Sequence, residues 1–158
     1  MIKIVPYKKE YAPIFRDLNL AWLKEYFYVE PKDQLLLENC QEHIINKGGY
    51  IFFALLNEQP VGCFSFIPLD AKAYELGKMA VSKEFQGKNI GQQLLSFAIA
   101  FANEQNWGKI ILYSSSKLPT ALYIYRKYGF KNVALEKDLP YTRSDIKMEL
   151  SLIKRELN

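Results

Sequence analysis

Histidine and cysteine are scarce: the 158 residues hold one histidine, His43, and two cysteines, Cys40 and Cys63, which form no CxxC pair. A zinc site built from closely spaced cysteine and histidine ligands is therefore excluded, and no metal is expected. Ser-His-Asp or Cys-His hydrolysis would have to rest on His43 alone, so proton transfer is assigned to other groups. All three residues read as structural or bystander positions. Long apolar runs are also missing. No stretch reaches the roughly 20 apolar residues of a membrane span, and Met1–Pro6 is too short and too strand-like for a signal peptide. The expectation is a cytoplasmic protein with no membrane partner. Charge of one sign is lacking too, with a net charge of +4. The eleven tyrosines and ten phenylalanines are spread along the chain rather than interleaved with a basic run, so no nucleic-acid partner is expected.

What is present is apolar residues, 49% of the chain, enough for one domain to bury a core without staples. No repeat, linker or low-complexity tract interrupts it. The domain is expected over residues 1–150, with 151–158 a short frayed C-terminal tail. Residues 1–6 alternate as a strand, and residues 8–28 place Tyr11, Ile14, Phe15, Leu18, Ala21 and Trp22 at helical spacing. Pro31 suits the first position of a second helix, which is predicted to run to about Ile45 before Gly48-Gly49. Tyr50–Leu56 and Val61–Ile67 form a strand pair around Asn57-Glu58-Gln59-Pro60, and Tyr74–Val81 is a third strand. A helix from Ile90 to near Asn106, the strand Ile110–Tyr113, a helix from Pro119 to Tyr128 and the strands 130–134 and 144–150 complete the order β-α-α-β-β-β-α-β-α-β-β. This is an α/β fold, with helices on both faces of a mixed sheet.

The segment Tyr74 to Gly91 runs from a strand through a glycine-bracketed turn directly into an amphipathic helix. A helix start leaves backbone N–H groups without intrahelical partners and adds positive potential, so it accommodates a pyrophosphate. The dinucleotide pattern Gly-x-Gly-x-x-Gly is not met, since Asn89 lies between Gly87 and Gly91. The nucleotide P-loop pattern fails as well, because Ser82 and Asn89 stand where a glycine and a Ser or Thr are needed. Gln86-Gly87-Lys88-Asn89-Ile90-Gly91 instead resembles the (Gln/Arg)-x-x-Gly-x-(Gly/Ala) loop of the GNAT superfamily of acetyl-CoA-dependent N-acetyltransferases. Asn89 replaces the usual middle glycine and is the non-glycine residue that best tolerates positive φ. A second element, Ala121 to Phe130, is similar to the family's Ala-x-x-x-Tyr-x-x-x-Gly-Phe.

The resemblance covers residues 1–150 and implies a mostly antiparallel sheet of about seven strands, with acetyl-CoA as cosubstrate. Gln86, Gly87, Lys88, Asn89, Ile90, Gly91 and Gln92 would hold the pyrophosphate; the alternative is a plain β-to-α connection. Other nearby cations, Lys83, Lys117, Arg126, Lys127 and Lys131, would add only a general positive field. The pantetheine arm would follow Met79, Ala80 and Val81, with a Met79 N–H or a neighbour stabilising the oxyanion. Ser115, with Ser116, stands where the family places a pantetheine contact, or caps the next helix.

Acetyl transfer needs a neutral amine, whereas a primary alkylamine has a pKa of about 10, so a base is useful at neutral pH. Glu75 is the one candidate in its strand. In an undistorted strand it shares a face with Gly77, Met79 and Val81, and a bulge would change that; it could otherwise position substrate or pair at the sheet rim. Tyr125 matches the family tyrosine proposed as general acid toward the CoA thiolate, or it is core. The family's acceptor pocket maps onto Trp22, Tyr26, Tyr28, Glu30, Asp33, Tyr141 and Arg143. There Glu30 and Asp33 could bind a cationic amine and Arg143 a carboxylate, or they serve a helix start and a surface pair. The implied activity is direct acetyl transfer to a primary amine of a small molecule or peptide, with a homodimer kept open. A non-catalytic acyl-CoA sensor and a protein lysine or N-terminal acetyltransferase are the alternatives.

Overall fold

The computed structural model describes residues 1–70, 72–139 and 141–152. Its elements are β1 (Ile2–Pro6), α1 (Ala12–Tyr26), α2 (Pro31–Glu38), β2 (Tyr50–Leu56), β3 (Gln59–Pro68), β4 (Ala73–Val81), α3 (Ile90–Glu104), β5 (Lys109–Ser114), α4 (Pro119–Lys127), β6 (Lys131–Val133) and β7 (Ile146–Ser151). One seven-stranded sheet has the order β1-β2-β3-β4-β5-β7-β6. Only β4 and β5 run parallel; every other neighbouring pair is antiparallel.

Alternation along the strands sends side chains to two cores. On one face Phe52, Phe64, Phe66 and Ile110 pack with Leu94, Leu95 and Ala98 of α3 and with Trp107. On the other, Ile51, Phe53 and Cys63 pack with Phe15 and Leu23 of α1, Leu36 and Leu37 of α2, and Ile44. A fully buried phenylalanine such as Phe53 or Phe64 contributes about 1.5–3 kcal/mol relative to exposure. Tyr74 and Trp107 stack with ring centroids 3.5 Å apart and close the α3 side at the start of β4.

Three expectations need correction. The second helix does not reach Ile45. Asn39 leaves helical geometry at φ −142°, ψ 64°, and a separate π-helical turn follows over Gln41–Ile45. The hairpin turn is Asn57-Glu58 alone, both at positive φ, and Gln59 and Pro60 already pair with Leu56 and Leu55. The last strand also continues past residue 150: Ser151 pairs with Lys109, and Leu152 is buried and donates its N–H to the Gly108 carbonyl at 2.8 Å. The rest of the expected tail, residues 153–158, lies outside the described residues.

Two irregularities of β4 shape the middle of the sheet. Its parallel pairing with β5 covers only Ala73, Tyr74 and Glu75, opposite Lys109, Ile110 and Ile111. From Gly77 onward the strands diverge, and the β5-facing edge of β4 has no strand partner. The second irregularity is a bulge. Ser65 pairs with Gly77 and Cys63 with Ala80, so two steps on β3 oppose three on β4, and Lys78 takes φ 51°. The extra residue reverses the alternation beyond it. Glu75 and Gly77 share the α1 face with Ala80, whereas Met79 and Val81 turn to the α3 face, contrary to the undistorted strand of the sequence reading.

Candidate active site

The divergence of β4 from β5 opens a cleft of about 660 Å³. Three sections follow one another along it: a helix start, an unpaired strand edge and a buried polar cluster.

At the first, Val81 ends β4 and a short turn leads into α3. Gly87 at φ 78° and Asn89 at φ 63° supply the two left-handed residues that bend the loop. The side chain of the cap residue Asn89 accepts no N–H of the helix start, and its carbonyl accepts the Gln93 N–H at 3.0 Å. The N–H groups of Ile90, Gly91 and Gln92 have no acceptor among the described residues and face the cleft, a concentration of donors suited to an anion. Gln86 does not reach forward to that position; its amide donates to the Val81 carbonyl at 3.1 Å and braces the loop. The Lys88 side chain is exposed and lies outside the cleft lining.

Met79, Ala80 and Val81 line the middle section from β4, and Ser114 and Ser115 line it from the opposite side. Ser115 is not a helix cap. The α4 cap position is Leu118, and the Ser115 hydroxyl instead accepts the Lys117 N–H at 3.2 Å within the turn. Ser116 is turned away and held by Asp145, its N–H at 2.8 Å and its hydroxyl at 2.6 Å from the carboxylate. Tyr125 enters from α4 and touches Phe130 with ring centroids 5.9 Å apart. Its hydroxyl has no hydrogen-bond partner among the described residues, and burial pushes its pKa above the usual tyrosine value. It therefore stays a neutral donor across the ordinary pH range.

Glu75 sits at the far end, 6% exposed, with its carboxylate in the cleft and no hydrogen-bond donor among the described residues. Burial pushes its pKa above the usual carboxylate range, opposed by the positive charges of Lys32 and Lys78. Beside it lies a polar cluster assembled from α2, β4 and the segment 141–143. Asp33, fully buried, accepts Arg143 at 2.6 and 2.9 Å, Lys78 at 2.5 Å and the Glu30 N–H at 2.9 Å. Glu30 accepts from the Thr142 N–H (2.8 Å) and hydroxyl (3.1 Å), the Arg143 guanidinium (3.1 Å) and the Arg143 N–H (3.3 Å). The Tyr28 hydroxyl joins through Thr142 Oγ1.

Sharing of charge in this cluster is unequal. Burial alone would raise the Asp33 pKa, but the hydrogen bonds from Arg143 and the charge of Lys78 hold its carboxyl below the usual range. Burial of Lys78 outweighs the pull of Asp33, which it shares with Arg143, and of Glu75, which leaves its pKa below the usual lysine value. Glu30 is thus removed from the cleft. Neither it nor Asp33 can meet an incoming ammonium as the sequence suggested, because their acceptor positions are filled by residues of the same protein. Arg143 does line the cleft, but its charge is already matched. Trp22 and Tyr26, with Phe27, line the α1 side, and Tyr28 lies outside the lining. Cys63 is wholly buried, and burial pushes its thiol up to about 12, which disqualifies it as a nucleophile.

The seven-stranded, mostly antiparallel sheet with its helices matches that of known proteins. The family model for the acetyltransferase (GNAT) domain matches residues 47–132, just over half of the chain. The chain belongs to the GNAT family. Among solved structures, a GNAT-family acetyltransferase from Staphylococcus aureus Mu50 is 28% identical with a TM-score of 0.85, covering 97% of this chain and 100% of that one. A GNAT-family acetyltransferase from Elizabethkingia anophelis, solved with acetyl-CoA bound, shares the fold at 24% identity and a TM-score of 0.72, over 95% and 97% of the two chains. Human N-acetyltransferase 8B is 27% identical over 89 residues, 53% of this chain and 39% of that protein. The chain spans well under half the length of the curated relatives it matches.

Within this GNAT domain the cleft brings together every residue singled out from the sequence as catalytic, cofactor-binding or substrate-binding except Tyr28, Glu30, Asp33, Lys88 and Ser116. Lys78 escaped the sequence reading. In an alternating strand it reads as one more exposed lysine, and only its place between Gly77 and Met79, in an otherwise apolar run, hints at a buried role. No helix among the described residues is long and apolar enough to cross a membrane.

Proposed function

We propose that the protein is an N-acetyltransferase that moves the acetyl group of acetyl-CoA directly to a primary amine. The observation that carries the reading is the continuity of the cleft: free N–H donors at the start of α3, then an unpaired strand edge, then a lone buried carboxylate and a half-buried tyrosine. The pyrophosphate is assigned to the N–H groups of Gly87–Gln92, and the pantetheine to the free edge of Met79–Val81 and to Ser115. A backbone N–H near Met79, freed by the bulge, serves the oxyanion.

The amine nitrogen attacks the thioester carbonyl carbon, the C–N bond forms and the C–S bond breaks. The amine proton passes to Glu75, directly or through a water, and burial makes that carboxylate a stronger base than an exposed one. The sulfur leaves as a thiolate facing Tyr125. An ordinary thiol has a pKa of about 8.5, and the tyrosine lies above about 10, so full proton transfer from Tyr125 is uphill. Its contribution is a hydrogen bond donated to the developing charge. Small-molecule amines and peptide amines are both accommodated by this chemistry.

A thiol-release assay with acetyl-CoA and a broad amine panel tests the proposal. Amine-dependent CoA release at saturable rates supports it. Saturable CoA binding with no release from any amine would instead favour a sensing module.

A further inference from the structure

Three of the eight glycines take a left-handed φ, and three more have atoms within 3.4 Å of where a Cβ would stand. Backbone and packing account for those. Gly77 and Gly91 remain, and both line the cleft. At Gly91 a Cβ would meet nothing within 4 Å, whereas at Gly77 it would meet one atom, Oε2 of Glu75, at 3.7 Å.

Glycine inside a strand costs backbone entropy and contributes no side chain to the packing, and it often marks a place where a ligand comes close. The bulge does not explain Gly77, because the left-handed φ of 51° belongs to Lys78, the next residue. Crowding does not explain it either, since an added methyl would reach only ordinary contact with the carboxylate. What the glycine leaves is a methyl-sized gap in the cleft wall, directly against the proposed base. The strand around this gap is tied on both sides. The Gly77 carbonyl accepts the Ser65 hydroxyl at 3.1 Å, and Lys78 donates to Asp33 at 2.5 Å and to the Tyr141 hydroxyl at 3.0 Å.

We infer that Gly77 determines which acceptors the site takes: the gap beside the Glu75 carboxylate receives a substituent on the carbon that bears the reacting nitrogen, so amines on a branched carbon are accepted. The inference rests on the acetyl-transfer reading, with Glu75 as base, and narrows its substrate class. For direct proton transfer the nitrogen must come within about 2.6–3.2 Å of the carboxylate, and the carbon attached to it then lies roughly 3.5–4 Å from the same oxygen. A Cβ at position 77 would stand at that same distance. It would compete for space with whatever that carbon carries.

Acceptor pairs that differ by one methyl on the amine-bearing carbon decide the matter: propylamine and sec-butylamine, glycinamide and alaninamide. With acetyl-CoA saturating, kcat/KM for thiol release in the native protein should agree within about tenfold inside each pair. G77A should lower the branched-to-unbranched ratio by at least about tenfold, the effect of one methyl in a filled pocket, while the acetyl-CoA KM and the urea midpoint hold. A purely structural role for Gly77 would move both members of a pair together. An unchanged ratio in G77A, a G77A chain that fails to fold, or a native protein that takes other amines but neither branched member overturns the inference.

Absence of release with every amine would count against acetyl transfer itself. The gap is then read by calorimetric titration of the same four amines into the CoA-loaded protein. Binding of the branched members that weakens selectively in G77A upholds the inference, and binding that is absent or changes equally within each pair overturns it.

Discussion

The two ends of the cleft are built by opposite means. The α3 end is made of backbone: its N–H groups are aimed by two left-handed residues, its side chains are mostly exposed, and all its parts come from a few consecutive residues. The Glu75 end is made of side chains, buried and interlocked, contributed by α2, β4 and the segment 141–143. Backbone donors tolerate side-chain change and serve a ligand common to many proteins. Interlocked side chains do not tolerate it, and they set the environment of one carboxylate.

The largest effect expected from breaking this contrast is at Glu75. E75Q should lower kcat by about 10²–10⁴-fold with little change in acetyl-CoA affinity. In the native protein kcat/KM should rise with pH through the Glu75 pKa, at a position above the ordinary carboxylate range, and this limb should vanish in E75Q. Stability should move the other way. Burial raises the folded pKa of Glu75, so its contribution to stability is fully present below the unfolded value and is lost as pH rises through the folded one. At neutral pH, E75Q should therefore be the more stable protein, by about 1 kcal/mol in urea unfolding.

Next comes Asp33. D33A leaves Lys78 and Arg143 buried without their shared partner and should cost about 3–5 kcal/mol, read as a lower urea midpoint. A loss below about 1 kcal/mol would show that the cluster is not interlocked through Asp33.

Y125F removes one hydrogen bond to a charged sulfur, so kcat should fall about 10–100-fold with acetyl-CoA KM nearly constant. An unaltered kcat would return Tyr125 to the core. The smallest effect belongs to the backbone end. A Cβ at Gly91 meets nothing within 4 Å, so G91A should stabilise the protein by about 0.5–1 kcal/mol and leave the acetyl-CoA KM within about twofold.

The same contrast explains what could be read from the sequence. The order of elements and the loop from Gln86 to Gly91 were legible because local signals carry them: hydrophobic period, Pro31 at a helix start, Asn89 at positive φ. Asn39 gave no such signal, and the helix it interrupts was drawn too long. The bulge at Lys78 was not legible, since it is a mismatch of count between β3 and β4 that neither strand records alone. Of the two roles open to Glu30, the structure shows the helix start and not a free carboxylate, and what could not be read in advance has a related cause. A carboxylate before Pro31 is an obvious helix-start residue, but its other partners, Thr142 and Arg143, come from a part of the chain with no regular pattern.

That contact has a kinetic side. The bonds from Glu30 and Asp33 to Thr142 and Arg143 join residues 110 to 113 positions apart. Closing so long a loop must be compensated before its contacts contribute, whereas the hairpin β2–β3 and the β4–α3 turn form from near neighbours. The amine end is therefore expected to assemble late in folding, and weakening its cluster should accelerate unfolding far more than it slows folding. The part of the molecule proposed to meet the acceptor is also the clasp that sets how long the folded chain persists.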